Sequence, residues 1–145
     1  MATRKPDWPT RLTKYLVDNQ YTPFEYGRFD CLCFIAGAIA VMTGVDIMAD
    51  FRGTYRSHSQ AMRIARRTYD AVDVDSTLNA MMEQRGWRER MPLRAQRGDV
   101  VLVPINSGDL ACGIVHPNGR ETVIVTNEGL WRTPLQNAVR AWGIQ

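Results

Sequence analysis

Tyr26-Gly27-Arg28-Phe29-Asp30-Cys31-Leu32-Cys33-Phe34 is the stretch on which the reading of this chain turns. A glycine able to make a turn gives way to an acidic residue, a cysteine and an apolar run through Met42. The pattern predicts a helix over Asp30 to Thr43, apolar on every side and so buried all round, with Gly44 as its stop. Asp30 is placed to cap that helix by accepting hydrogen bonds from free backbone N–H groups. Cys31 then falls in the first turn, where the positive end of the helix dipole favours a thiolate. The same arrangement suits a nucleophile and an inert structural cysteine, and the local sequence leaves both open.

Working outward, Asp7 to Tyr21 reads as a first helix, opened by Trp8-Pro9 and carrying Trp8, Leu12, Tyr15 and Leu16 on one face. Tyr21 to Gly27 is a linker, and Val45 to Tyr55 is irregular chain. Ser57 to Asp70 reads as a helix with Met62, Ala65 and Tyr69 inward. Asp75 or Ser76 is placed to cap another, with Leu78, Met81 and Met82 inward and Gly86 at its end. Arg85 to Arg97 is a basic connection containing Pro92. Beyond it the pattern changes to strands at Val100–Val103, Leu110–His116, Thr122–Thr126 and Leu130–Thr133, with turn residues between them. Leu135 to Ala141 reads as a short closing helix with Trp142 packing back. Helices first and an antiparallel meander after them define an α+β domain, its N-terminal helices packed on a small C-terminal sheet.

The 145 residues, 45% of them hydrophobic, suit a single domain over 1–145 with its own core and exclude a disordered chain. The formal net charge of +3 permits an acidic partner without requiring one. Three cysteines are too few, and odd in number, for a disulfide scaffold, which favours free thiols. Met1 to Pro6 has no apolar core behind it and does not read as a signal peptide. The run from Cys31 to Met42 is too short to span a bilayer, so no membrane is expected. Arg63, Arg66 and Arg67, and the series Arg85, Arg88, Arg90, Arg94 and Arg97, read as solvated faces. No nucleic-acid motif or aromatic stacking platform accompanies them, so nucleic acid is not an expected partner.

A metal site drawing on Cys31, Cys33, Cys112 and His116 is disfavoured by geometry. Residues two apart on a helix point about 200° apart. No metal and no cofactor are expected, and Cys33 and Cys112 read as buried small hydrophobes. Met62, Met81 and Met82 read as core or interface filler; Trp87 and Trp131 suit either core packing or partner contact.

Taken in order, these motifs resemble those of the NlpC-type cell-wall peptidases. Asp30-Cys31-Leu32-Cys33-Phe34 matches the stretch that carries their nucleophile. Gly98-Asp99 matches the turn that opens their sheet, and Ala111-Cys112-Gly113-Ile114 a His-Val-Gly-Ile-like motif on the next strand. The chain is similar in more detail to NlpC-like proteins encoded among the tail genes of phages and prophages. The shared stretches there are Trp8 to Leu16, Pro23-Phe24-Glu25-Tyr26-Gly27, Asp30-Cys31, Gly53-Thr54-Tyr55 and Gly129-Leu130 through Trp142. The resemblance implies a circularly permuted papain-like fold with Cys31 at the nucleophile position.

One departure bears on activity. Where the peptidases carry the histidine, this sequence has Ala111. A cysteine peptidase needs that imidazole to activate the thiol and to protonate the leaving amine. His116 lies five residues on, on the opposite strand face and roughly 16 Å away at about 3.3 Å per residue. His58 lies in a segment whose path the sequence does not define, and is the remaining candidate base. The family's third polar residue falls near Thr126 or Asn127. The resemblance therefore implies a structural component of a phage tail tip or hub, descended from a wall peptidase and expected to be inactive. It would be made in the bacterial cytoplasm and carried in the virion. Its expected partners are other tail-tip or hub proteins, with peptidoglycan as a second candidate. The alternative is an active peptidoglycan-cleaving cysteine peptidase aiding DNA entry, with Cys31 as nucleophile, Asp30 beside it as helix cap and His58 as base.

Overall fold

A computed structural model describes residues 3–144; Met1, Ala2 and Gln145 lie outside it. Four helices precede a six-stranded antiparallel sheet. The helices are α1 (Trp8–Asp18), α2 (Cys31–Thr43), α3 (His58–Tyr69) and α4 (Val74–Gln84). The strands are β1 (Glu89–Arg90), β2 (Val100–Pro104), β3 (Leu110–Val115), β4 (Glu121–Thr126), β5 (Gly129–Pro134) and β6 (Arg140–Trp142). They lie side by side in the order β1-β6-β2-β3-β4-β5.

The central helix forms as its sequence predicts. No residue of α2 is exposed, and Cys33, Phe34, Ile35, Ala36, Ala38, Ile39 and Met42 are fully buried. Its apolar surround is matched by α1 on one flank, which inserts Leu12 and Leu16, and by the sheet on another. Tyr15 lies stacked on Phe34 and donates its hydroxyl to the Phe34 carbonyl at 2.8 Å. Gly44 ends the helix at φ +86° with its N–H on the Ala40 carbonyl at 2.8 Å. Its Cβ position is open apart from the Lys5 side chain, so only the backbone conformation demands glycine there. Gly44→Ala should cost about 1 kcal/mol in urea unfolding, the penalty of a left-handed alanine without a clash.

The sheet is buried on both faces, and strand alternation sorts its residues. Val100, Leu102, Cys112, Ile114, Val123, Val125 and Trp142 face the helices. Val101, Val103, Val115, Ile124, Ala138 and Ala141 form a smaller cluster on the far face, against Ala95 and Leu135. The Gly98-Asp99 turn that opens β2 is a structural junction. The Asp99 carboxylate is 1% exposed, 3.0 Å from the Arg4 guanidinium and 3.6 Å from that of Arg90, and it also accepts the Gln96 N–H.

Three sequence expectations are corrected. The residues from Leu135 do not form a helix. A 3₁₀ turn at Leu135–Asn137 leads into β6, which pairs with β2 through Val100↔Trp142 and Val101↔Ala141. The sheet is therefore not a simple meander, because β6 returns between β2 and β1. The basic connection contributes β1, paired with β6 through Glu89↔Trp142. The cap of α4 is Asp73 rather than Asp75 or Ser76. Asp73 and Ser76 form a reciprocal capping box in which Ser76 holds the third helical position. Trp87 is core at 2% exposure, whereas Trp131 is 65% exposed on the edge strand β5.

Candidate thiol site

Asp30 is the hinge of the site. Its backbone is extended and its side chain, 5% exposed, is turned back over the start of α2. One oxygen accepts the Cys33 N–H at 2.8 Å; the other accepts the Gly27 N–H at 2.9 Å and the Tyr55 hydroxyl. Gly27 sits at φ +80°, where a Cβ would come 2.0 Å from the Tyr55 carbonyl oxygen, so the turn accepts only glycine. One carboxylate thus ties together the turn before the helix, its first N–H groups and the loop that carries Tyr55. Burial and the adjacent Asp30 drive the Tyr55 hydroxyl far up from its usual range, so it stays a donor.

Cys31, the first residue of α2, is partly buried and its thiol is free. It packs against the helix-side core that Cys112 of β3 enters from the sheet. The neighbouring Cys112, its thiol first and then its backbone, draws the Cys31 pKa below its ordinary value against the opposing effects of burial and of Asp30. Cys112, fully buried, is pushed well above its ordinary value by burial and by Cys31.

Cys33 points the other way around the helix. Its sulfur is 3.6 Å from the Tyr55 hydroxyl, and burial pushes its pKa up to about 12. Cys31 and Cys33 thus occupy separate environments, as two helical positions must.

Strand register revises the reading of Ala111. Ala111 pairs with Val103, which belongs to the far-face cluster, whereas Cys112 pairs with Leu102 on the helix face. An imidazole at 111 would point away from the Cys31 sulfur, and the residue that faces it is Cys112. His116 lies just past the end of β3, of opposite parity to Ala111 and four residues beyond Cys112, roughly 13 Å along an extended chain. Its Nδ1 accepts the Asn118 N–H at 3.0 Å in the turn after β3. His58 stands exposed at the start of α3, its ring edge-on to Tyr26 with centroids 6.3 Å apart. Tyr26 also feels Cys31 and Asp30, which together with burial raise its pKa. Thr126 is spent on the β4–β5 turn, donating to the Gly129 carbonyl at 2.7 Å.

A cavity of about 330 Å³ opens beside the site, walled by Glu25, Tyr26, Arg28, Gly53, Tyr55 and Arg56. The sequence reading placed Cys31 and Asp30 correctly at the head of α2 but gave no role to Cys112, Tyr55 or Tyr26. The alternation Leu110, Cys112, Ile114 against Ala111, Gly113 was the available signal, since the larger apolar side chains mark the inward face.

A cysteine-headed, carboxylate-capped helix buried against an antiparallel sheet is the centre of an α+β domain. The fold is similar to the crystal structure of the NlpC/p60 domain of the peptidoglycan hydrolase SagA, with a TM-score of 0.54 at 15% identity over 94% of this chain and 98% of that one. At that identity the likeness is one of fold. By sequence, the chain belongs to the family described as domain of unknown function DUF6950, whose profile matches residues 3–144. No curated protein matches it.

Proposed function

We propose that this chain is a structural component of a phage tail, at its tip or hub, built on a peptidase-derived NlpC-like fold that does not cut peptide bonds. The observation that carries the loss of hydrolysis is the neighbour of the Cys31 sulfur. Strand register turns Cys112, and not position 111, toward α2, so the group that β3 offers on the side of Cys31 is a thiol and not an imidazole. Hydrolysis needs a group that takes the proton from the nucleophile and returns it to the leaving amine, a service worth about 10²–10⁴-fold in rate. A thiol held above its usual pKa performs neither step at neutral pH. The placement in a tail rests on the resemblance of the Trp8–Leu16, Pro23–Gly27, Gly53–Tyr55 and Gly129–Trp142 stretches to tail-encoded NlpC-like proteins. The exposed Trp131, Met91 and Leu93 give neighbouring proteins apolar holds on the surface.

Two measurements test this. A muralytic assay on purified peptidoglycan should give buffer-level release for the wild type, for Cys31→Ala and for His58→Ala alike. Turnover that disappears in Cys31→Ala would overturn the inactive reading, and its loss in His58→Ala as well would assign the base across Tyr26. Mass spectrometry of purified virions should find the chain in the particle. Its absence there, with the chain present in infected cells, would make it an assembly factor instead.

A further inference from the structure

We propose that the sheet edge formed by Met91 to Arg94 and Val139 is a docking surface for a protein segment whose apolar side chains lie between aspartates or glutamates. From Arg85 to Arg97 the chain carries five arginines and one glutamate, an excess of four positive charges against +3 for the whole chain. Folding does not neutralise that excess. Arg140 takes both oxygens of Glu89, at 2.8 and 2.6 Å, and the same guanidinium holds Asp75. Asp99 is buried between Arg4 and Arg90. The carboxylates that the fold brings to this edge are therefore already committed. Among the described residues, Arg88, Arg94 and Arg97 have no carboxylate within ion-pair distance, and all three are exposed. Arg97 rests over the Trp8 ring, 5.3 Å from its centroid, which leaves its charge unpaired.

The same edge displays apolar side chains that the fold leaves uncovered. Leu93 is 84% exposed, Met91 64% and Val139 48%. They are neighbours in space. β1 pairs with β6 through Arg90↔Ala141, and continuing that antiparallel register brings Met91 and Pro92 alongside Arg140 and Val139. The 3₁₀ turn at Pro92–Arg94 also packs against the one at Leu135–Asn137. The display is held rigid. Pro92 fixes the first residue of its turn, the Arg94 N–H donates to the Met91 carbonyl at 2.8 Å and the Ala95 N–H to the Pro92 carbonyl at 3.1 Å. Beneath it, Ala95 packs on the far-face cluster of the sheet. Leu93, in the middle of this turn, has little backbone freedom to lose on binding, which suits it to be an anchor. An apolar centre rimmed by unpaired guanidinium groups selects a partner with an apolar centre and an acidic rim. A nucleic-acid backbone would engage the arginines and leave Leu93, Met91 and Val139 unused, which favours a protein segment. None of this depends on where the chain is carried or on the state of Cys31.

The test selects from a random-peptide library on the immobilised full chain. The most enriched peptide is then synthesised with a fluorophore and titrated by polarisation. Enriched sequences should carry Asp or Glu on either side of a large apolar residue. Leu93→Ser should weaken that peptide roughly tenfold, as truncation of a central anchor does. Arg88→Ser combined with Arg94→Ser should weaken it roughly fivefold at low salt and flatten its salt dependence. These side chains are exposed, so each variant should keep the wild-type circular dichroism spectrum and melting temperature. Arg63→Ser combined with Arg66→Ser, on the other arginine-rich stretch, should leave the affinity within about twofold of wild type. Enriched peptides without acidic residues, or an affinity that Leu93→Ser leaves unchanged, would overturn the proposal. So would a selection that enriches nothing beyond what the same library gives on a chain carrying Leu93→Ser, Arg88→Ser and Arg94→Ser together. A short DNA duplex that matches the peptide's affinity, and is released by the arginine changes but not by Leu93→Ser, would overturn it as well and mark a plain phosphate-binding surface.

Discussion

Asp30→Ala should lower the unfolding free energy by about 3–5 kcal/mol, a loss out of proportion to one surface-adjacent carboxylate. The residue is 5% exposed, and its removal orphans the Gly27 N–H, the Cys33 N–H and the Tyr55 hydroxyl at once. Each buried donor left without a partner costs about 1–3 kcal/mol. The corresponding drop in melting temperature is roughly 10 °C or more for a chain of this size. Tyr55→Phe removes only one of the three donors and should cost about 1–2 kcal/mol. Asp30→Ala in the Tyr55→Phe background should then cost less than in the wild type, because one orphan is already gone. A single-mutant loss below about 1 kcal/mol, or strict additivity of the two changes, would show that this carboxylate does not organise the head of α2.

That prediction concerns the part of the fold most legible in the sequence, for a physical reason. Capping, helical burial and a glycine stop are all local: Asp30, Cys33 and Gly44 act through residues a few positions away, so the sequence states them directly. Strands β2 to β5 were legible because hairpins join sequence neighbours and turn residues punctuate them. What failed was non-local. Leu135, Ala138, Ala141 and Trp142 have a spacing that suits a helix, yet they feed β6, whose partner β2 lies some 40 residues upstream. A two-residue strand such as β1 carries no periodicity at all. At α4, Asp73, Asp75 and Ser76 are all capping residues by chemistry, and only the closed box between the first and the last shows which is the cap.

The candidate site shows the same division. Cys31 was found through its helix, whereas its partner depended on the register of β3 against β2. Matching Gly113-Ile114 to a family motif fixes an alignment but does not say which neighbour points inward. Only the pairing Leu102↔Cys112, with Leu102 in the helix-side core, assigns that role to Cys112.

This assignment yields a second large effect, measurable as chemistry rather than stability. Cys112→His should raise the rate at which iodoacetamide alkylates Cys31 at pH 6 by roughly tenfold, whereas Ala111→His should leave it within about twofold of wild type. The reason is the thiolate fraction. The wild-type Cys31 pKa is lowered, but by neutral donors; an imidazolium at 112 would add a full positive charge beside the sulfur, the arrangement that takes paired cysteine thiols to pKa values of about 3–4. Reactivity rises less than the thiolate fraction because a less basic thiolate is a poorer nucleophile, which keeps the expected gain near tenfold. Histidine is larger than cysteine, and overpacking at this buried position should cost about 1–3 kcal/mol, so both variants are compared at a temperature where each is folded by circular dichroism. At 111 the same imidazole shares a face with Val103, across the sheet from the thiol. If Ala111→His accelerated alkylation and Cys112→His did not, the face assignment of β3 would be reversed. The proposed lack of hydrolysis would then trace to Ala111 instead.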